Sequence, residues 1–108
     1  MKLTGKALED FLKVFGVDDE DKQISLQYFY NKTEVEQNAL IVDWFDSVGI
    51  YISINYVNFV NELTSAKGFE AMVTNKHLTT RFREVEIRNE ATRRAIIKAN
   101  ELYNYENR

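Results

Sequence analysis

Catalysis needs a nucleophile, an acid–base pair or a metal held in mutual reach. The chain has one histidine, His77, within the turn-like Thr74-Asn75-Lys76-His77, and it reads as a surface residue. Cysteine is absent, which removes thiol nucleophiles, thiolate metal sites and disulfides. Ser47 stands in Asp46-Ser47-Val48-Gly49 and lacks the flanking glycines of a nucleophile elbow. The four glycines, Gly5, Gly16, Gly49 and Gly68, are too scattered to cradle a phosphate. Asp43 and Asp46 are spaced three apart on one helical face, but with no histidine nearby they read as a polar helix end. Asp18-Asp19-Glu20-Asp21 lacks the glycine and the distal glutamate of a calcium loop and reads as a solvated loop. The expectation is therefore a protein that is not an enzyme and uses no metal or cofactor.

Binding chemistry is better represented. The net charge of −3 is uneven: residues 1–48 carry five lysines against ten acids, whereas 49–108 carry nine basic residues against seven acids. Arginine is confined to the last third, and Arg81, Arg83, Arg88, Arg93 and Arg94 could neutralise phosphates. The acidic first half carries Tyr28, Phe29, Tyr30 and Trp44, whose rings could anchor on a basic protein groove while the acids steer the approach. Core packing is the competing reading of those rings, and a solvated face that of the arginines.

These residues must be positioned by a small set of elements. Thr4 reads as the N-cap of a helix running to Phe15, with Ala7, Leu8, Phe11, Leu12 and Phe15 on one stripe and Gly16 as its stop. Residues 23–30 alternate like a strand but are too few to exclude a helical turn. Thr33-Glu34-Val35-Glu36 is a capping box, opening a helix to Ser47. Its Val35, Ala39, Ile41, Val42 and Phe45 form a broad face, with Leu40 and Trp44 opposite, so that Trp44 becomes a candidate contact.

After Gly49 the period changes to two. Ile50, Ile52, Ile54 and Tyr56 point one way and Tyr51, Ser53 and Asn55 the other, as in a half-buried antiparallel strand. Ser65-Ala66-Lys67-Gly68 reads as a turn, followed by strands over Phe69–Val73 and Arg81–Ile87. In the latter, Arg81, Arg83, Val85 and Ile87 share a side. A last helix starts with Asn89 as N-cap and continues to Asn104. Ala91, Ala95 and Ala99 let it approach a sheet closely, and Ile97 falls among charged residues on its outer face. Residues 1–108 then make one α+β domain: two N-terminal helices, a three-stranded antiparallel sheet and a C-terminal helix packed on it. The order of the last five elements, a helix, three strands and a helix, is similar to the double-stranded RNA-binding fold, but Glu90 stands where that fold gathers lysines.

No apolar run approaches a membrane span, and the N-terminus lacks the apolar core of a signal peptide, so a cytoplasmic protein is expected. The sequon Asn31-Lys32-Thr33 accordingly reads as a chance match. The stretches DWFDSVGIYI, residues 43–52, and RNEATRRAIIKANELYN, residues 88–104, resemble segments of small accessory proteins encoded by phages and prophages. The resemblance implies stoichiometric binding to a host protein or ribonucleoprotein, as by an anti-CRISPR protein directed against a type VI-B RNA-guided ribonuclease. It carries no functional residues over. The residues themselves nominate Trp44, Arg81, Arg83, Arg88, Arg93, Arg94 and Ile97 for partner binding. A nucleic-acid-binding role for 76–98, and self-association through Trp44 or Ile97, are the alternatives.

Overall fold

The computed structural model describes residues 2–15, 27–60 and 65–108. Its elements are α1 (Gly5–Phe15), α2 (Glu34–Ser47), β1 (Tyr51–Val60), β2 (Ser65–Thr74), β3 (Thr79–Val85) and α3 (Arg88–Glu106). The strands form an antiparallel sheet in the order β1-β2-β3, which makes the protein α+β. Gly16, the acidic run at 18–21, Ile24 and Leu26 lie outside the described residues; 27–30 are helical.

Helix α2 begins and ends where local chemistry demands. The Thr33 hydroxyl accepts from the Glu36 amide at 3.3 Å, and it also donates to the Glu36 carboxylate at 3.1 Å, in place of the reciprocal bond to the Thr33 amide. At the other end the Ile50 amide donates to Phe45 O (2.9 Å) and the Gly49 amide to Asp46 O (3.2 Å). This is a Schellman ending, and Gly49 supplies the positive φ of 87° it needs. Ile50 is thereby turned into the core at the head of β1.

Helix α3 lies across all three strands, with α2 against β1 and α3, and α1 against α3. Ala91, Ala95 and Ala99 are fully buried beneath it, which permits the close approach to the sheet. One cluster holds Leu3, Phe11, Phe29, Ile41, Trp44, Phe45, Ile50, Val73 and Ile96 together. The opposite face of the sheet, carrying Tyr51, Ser53, Asn55, Thr79, Arg81 and Arg83, is exposed among the described residues.

Several local expectations are corrected. Ser65–Gly68 is strand, not turn, because Val57↔Gly68 and the pairs beyond it extend the β1–β2 ladder to Val60↔Ser65. Between the pairs Phe69↔Val85 and Ala71↔Phe82, two residues of β3 stand opposite one of β2, so a bulge inserts one residue in β3. Val85 therefore turns to the buried side with Phe82, away from Arg81 and Arg83. Asn89 is inside α3; its N-cap is Ile87, which makes no side-chain capping bond.

Trp44 does not lie opposite the core. It is 6% exposed, with ring centroids 5.8 Å from Phe11 and 5.0 Å from both Phe45 and Tyr103. Contributions from α1 and α3 cover the α2 face that its own periodicity leaves unassigned. Val35, expected on the buried face, is instead 58% exposed.

A further device docks α1. The Thr4 hydroxyl does not provide the cap: Asn104 Oδ1 accepts from the Ala7 amide (2.7 Å), and Asn104 Nδ2 donates to Thr4 O (2.9 Å). One turn earlier, Asn100 Oδ1 accepts from the Thr4 amide (2.9 Å) while its Nδ2 donates to Thr4 Oγ1 (3.0 Å). The start of one helix is thus capped by side chains of another.

Candidate partner-binding groove between α3 and β3

The nominated residues divide into five environments. Trp44 is core. Arg81 and Arg83 project from the open sheet face, and Arg83 reaches Glu70 at 3.4 Å. Arg88 begins α3, its guanidinium 5.0 Å from the centre of the Phe69 ring. Arg93 joins two helices: it donates to Glu34 of α2 (2.9 Å from Nη2) and to Glu90 (3.2 Å). Arg94 and Ile97 stand together on the outer side of α3.

The electrostatics of Arg93 are those of a clamp. Its hydrogen bonds, with Lys2 at 3.0 Å, hold the Glu34 carboxyl down from 4.5 to about 2. Glu34 and Glu90 in turn raise the Arg93 pKa further above its already basic range. Arg94 reaches Glu90 at 3.2 Å and Lys98 reaches Glu101 at 3.6 Å. A guanidinium already held by carboxylates is poorly available to phosphates, so the basic region is less of a phosphate-binding strip than its composition suggests.

Arg94 and Ile97 do share a site. With Lys98 and Glu101 they form one wall of a groove of about 340 Å³, facing Thr80 and Phe82 of β3. Ile97 is 50% exposed, and Phe82 is partly buried against the core cluster beneath. Helical spacing places Arg94, Ile97, Lys98 and Glu101 on one stripe, and the alternation of β3 turns Thr80 and Phe82 toward it. β3 is also an edge strand, so among the described residues one side of its main chain is unpaired. The result is a short apolar trough with a charged rim beside a free strand edge. Phe82 was legible as a strand residue but not as a groove residue, because its neighbour across the trough belongs to another element.

A larger depression of about 760 Å³ lies at the Gly49 end of the sheet, where His77, Lys76, Glu106 and Tyr103 meet. Several of its polar groups are occupied within the fold. Asn75 Nδ2 donates to Glu106 at 2.7 Å, its Oδ1 accepts from the His77 and Leu78 amides at 2.9 Å, and the Tyr103 hydroxyl donates to Asp10. Burial and the Asp10 carboxylate push the Tyr103 phenol up to about 12. Asp43 and Asp46 are exposed, and among the described residues no group of three or more His, Asp or Glu could hold a metal ion. No helix among the described residues is long and apolar enough to cross a membrane. No protein-family model, curated protein or solved structure matches the chain.

Proposed function

We propose that the protein acts by stoichiometric binding, with the groove between α3 and β3 receiving a segment of a partner protein. The observation that carries this reading is the half-exposed Ile97 above Phe82, rimmed by Arg94 and Lys98 and bordered by the edge of β3. Apolar anchors surrounded by a charged rim are the usual anatomy of a protein-binding patch. An unpaired strand edge beside it offers main-chain hydrogen bonds to an extended segment. Taken with the likeness of residues 43–52 and 88–104 to small phage accessory proteins, the partner is a cytoplasmic host defence effector, and the protein is an anti-CRISPR inhibitor of a type VI-B RNA-guided ribonuclease.

Co-expression with such an effector tests this directly. The wild-type chain should suppress target RNA cleavage and co-purify with the effector. Ile97→Asp and the Arg94→Ala, Lys98→Ala pair should abolish both; Ile97→Asp should melt within about 2 °C of wild type, as expected for an exposed position, and the pair a few degrees lower at most, since it gives up only surface ion pairs. Full interference with no recovered complex would refute the reading. The second reading, nucleic-acid binding, draws on Lys76, Arg81 and Arg88, none of which makes an ion pair among the described residues. It predicts a mobility shift on RNA at low salt that weakens in Arg81→Ala, Arg88→Ala.

A further inference from the structure

Asn38 of α2 is 2% exposed, yet neither its Nδ2 nor its Oδ1 has a hydrogen-bond partner. Buried amides are almost always paired, and this one is shielded from water as well. It lies along a second groove, of about 200 Å³, on the flank of α3 opposite Ile97. Val35 and Val42 of α2 line one side of that groove, and Ile52 and Ile54 of β1 the other. The first turn of α3 closes the end, with Arg88 and Asn89.

That end is electropositive. The N-cap of α3, Ile87, makes no side-chain capping bond, so the opening amides of a 19-residue helix have no cap side chain. Arg88 adds a full charge, and among the described residues it has no carboxylate partner. Glu90, in the same turn, is held by Arg93 and Arg94. The other flank is β1, an edge strand with one side of its main chain unpaired among the described residues.

We propose that this groove binds the carboxy-terminal end of an extended apolar peptide, the Asn38 amide pairing with its main chain and the Arg88 end of α3 receiving its carboxylate. Each part answers one feature of the groove. A side-chain amide offers a donor and an acceptor together, which matches the C=O and N–H of a peptide unit. The aliphatic walls take apolar side chains, and the volume admits one or two of them. Uncapped helix amides and a guanidinium prefer a carboxylate to a neutral end. A peptide laid beside β1 can also extend the sheet. Pairing requires the Asn38 side chain to change rotamer, which exchanges two unpaired atoms for two hydrogen bonds. The proposal is independent of the Ile97 groove.

The test is a titration of the ¹⁵N-labelled full chain with N-acetyl-Gly-Val-Val as free acid and as C-terminal amide. The acid should shift the Arg88, Asn89 and Glu90 amides and the Asn38 side-chain NH₂, binding about tenfold more tightly than the amide. Arg88→Gln should remove that tenfold preference. Asn38→Leu should raise the melting temperature, by relieving an unpaired buried amide, and weaken the peptide about tenfold. Equal affinity for acid and amide, no shifts at 10-fold excess over ~1 mM protein, or an Asn38→Leu variant that binds as well as wild type would each overturn it. Ile97→Asp should bind the peptide unchanged, so loss of effector binding and loss of peptide binding are read separately.

Discussion

Replacing Asn100 by Ala should loosen α1 from the rest of the fold. Asn100 is 9% exposed and makes two hydrogen bonds to Thr4, to the amide at 2.9 Å and the hydroxyl at 3.0 Å. Each such bond contributes about 1 kcal/mol net, and the site leaves little room for water to replace it, so the loss should be about 2 kcal/mol. For a domain near this size, 1 kcal/mol corresponds to roughly 4–8 °C in melting temperature. Asn104→Ala removes the oxygen that accepts from the Ala7 amide, but its surroundings are wetter and the loss should be nearer 1 kcal/mol. Asn100→Asp keeps an acceptor for the Thr4 amide and should fall between wild type and Asn100→Ala. Thermal denaturation gives the ordering, and amide hydrogen exchange assigns it. The Thr4 amide should exchange faster in the Asn100 variants, and the Ala7 amide in Asn104→Ala. Melting within 1 °C of wild type, with neither amide accelerated, would refute cross-helix capping as the tether of α1.

Gly5→Ala should destabilise by about 1–2 kcal/mol for its positive φ of 59° alone, with further strain because the new Cβ meets Asn104 Nδ2 at 3.1 Å; chemical denaturation measures it. Trp44→Ala should cost about 3–5 kcal/mol by opening a cavity between Phe11, Phe45 and Tyr103, seen as a fall in the denaturation midpoint with or without any partner. Acid should weaken the fold as Glu34 protonates. Its folded pKa, about 2, lies below the ordinary 4.5, so its contribution is present above pH 4.5 and lost as the pH falls toward 2; Glu34→Gln should flatten stability against pH in that window. Tyr103 has the opposite sign: raised from 10 to about 12, it contributes below pH 10 and the contribution is lost as the pH rises toward 12, so Tyr103→Phe should show a weaker alkaline transition.

Much of the architecture was legible because it depends on neighbours along the chain. Thr33 and Glu36 mark the start of α2, Gly49 its end, and the alternation of Ile50, Ile52 and Ile54 the strand that follows. The alanine spacing of α3 likewise announces a helix that must lie close to a sheet. The candidate sites were less legible. Arg94 was nominated for its charge and Ile97 for its place on the outer face of one helix, but their groove exists only once β3 supplies Phe82. Arg93 looked like its neighbour Arg94, yet it is committed to Glu34, 59 residues away in the chain.

By itself, then, the sequence determined the kind and order of the elements, since caps, turn residues and hydrophobic periods act within a few residues. It also excluded thiol chemistry outright. Tertiary structure decided which faces are covered and which remain free. Trp44 became core because Phe11 and Tyr103 close over it, β3 acquired a bulge to bring both Phe82 and Val85 inward, and Asn104 rather than Thr4 capped α1. The physical reason is the same in each case. Periodicity gives the direction of a side chain relative to its own backbone, whereas burial and pairing depend on what a distant part of the chain places opposite it.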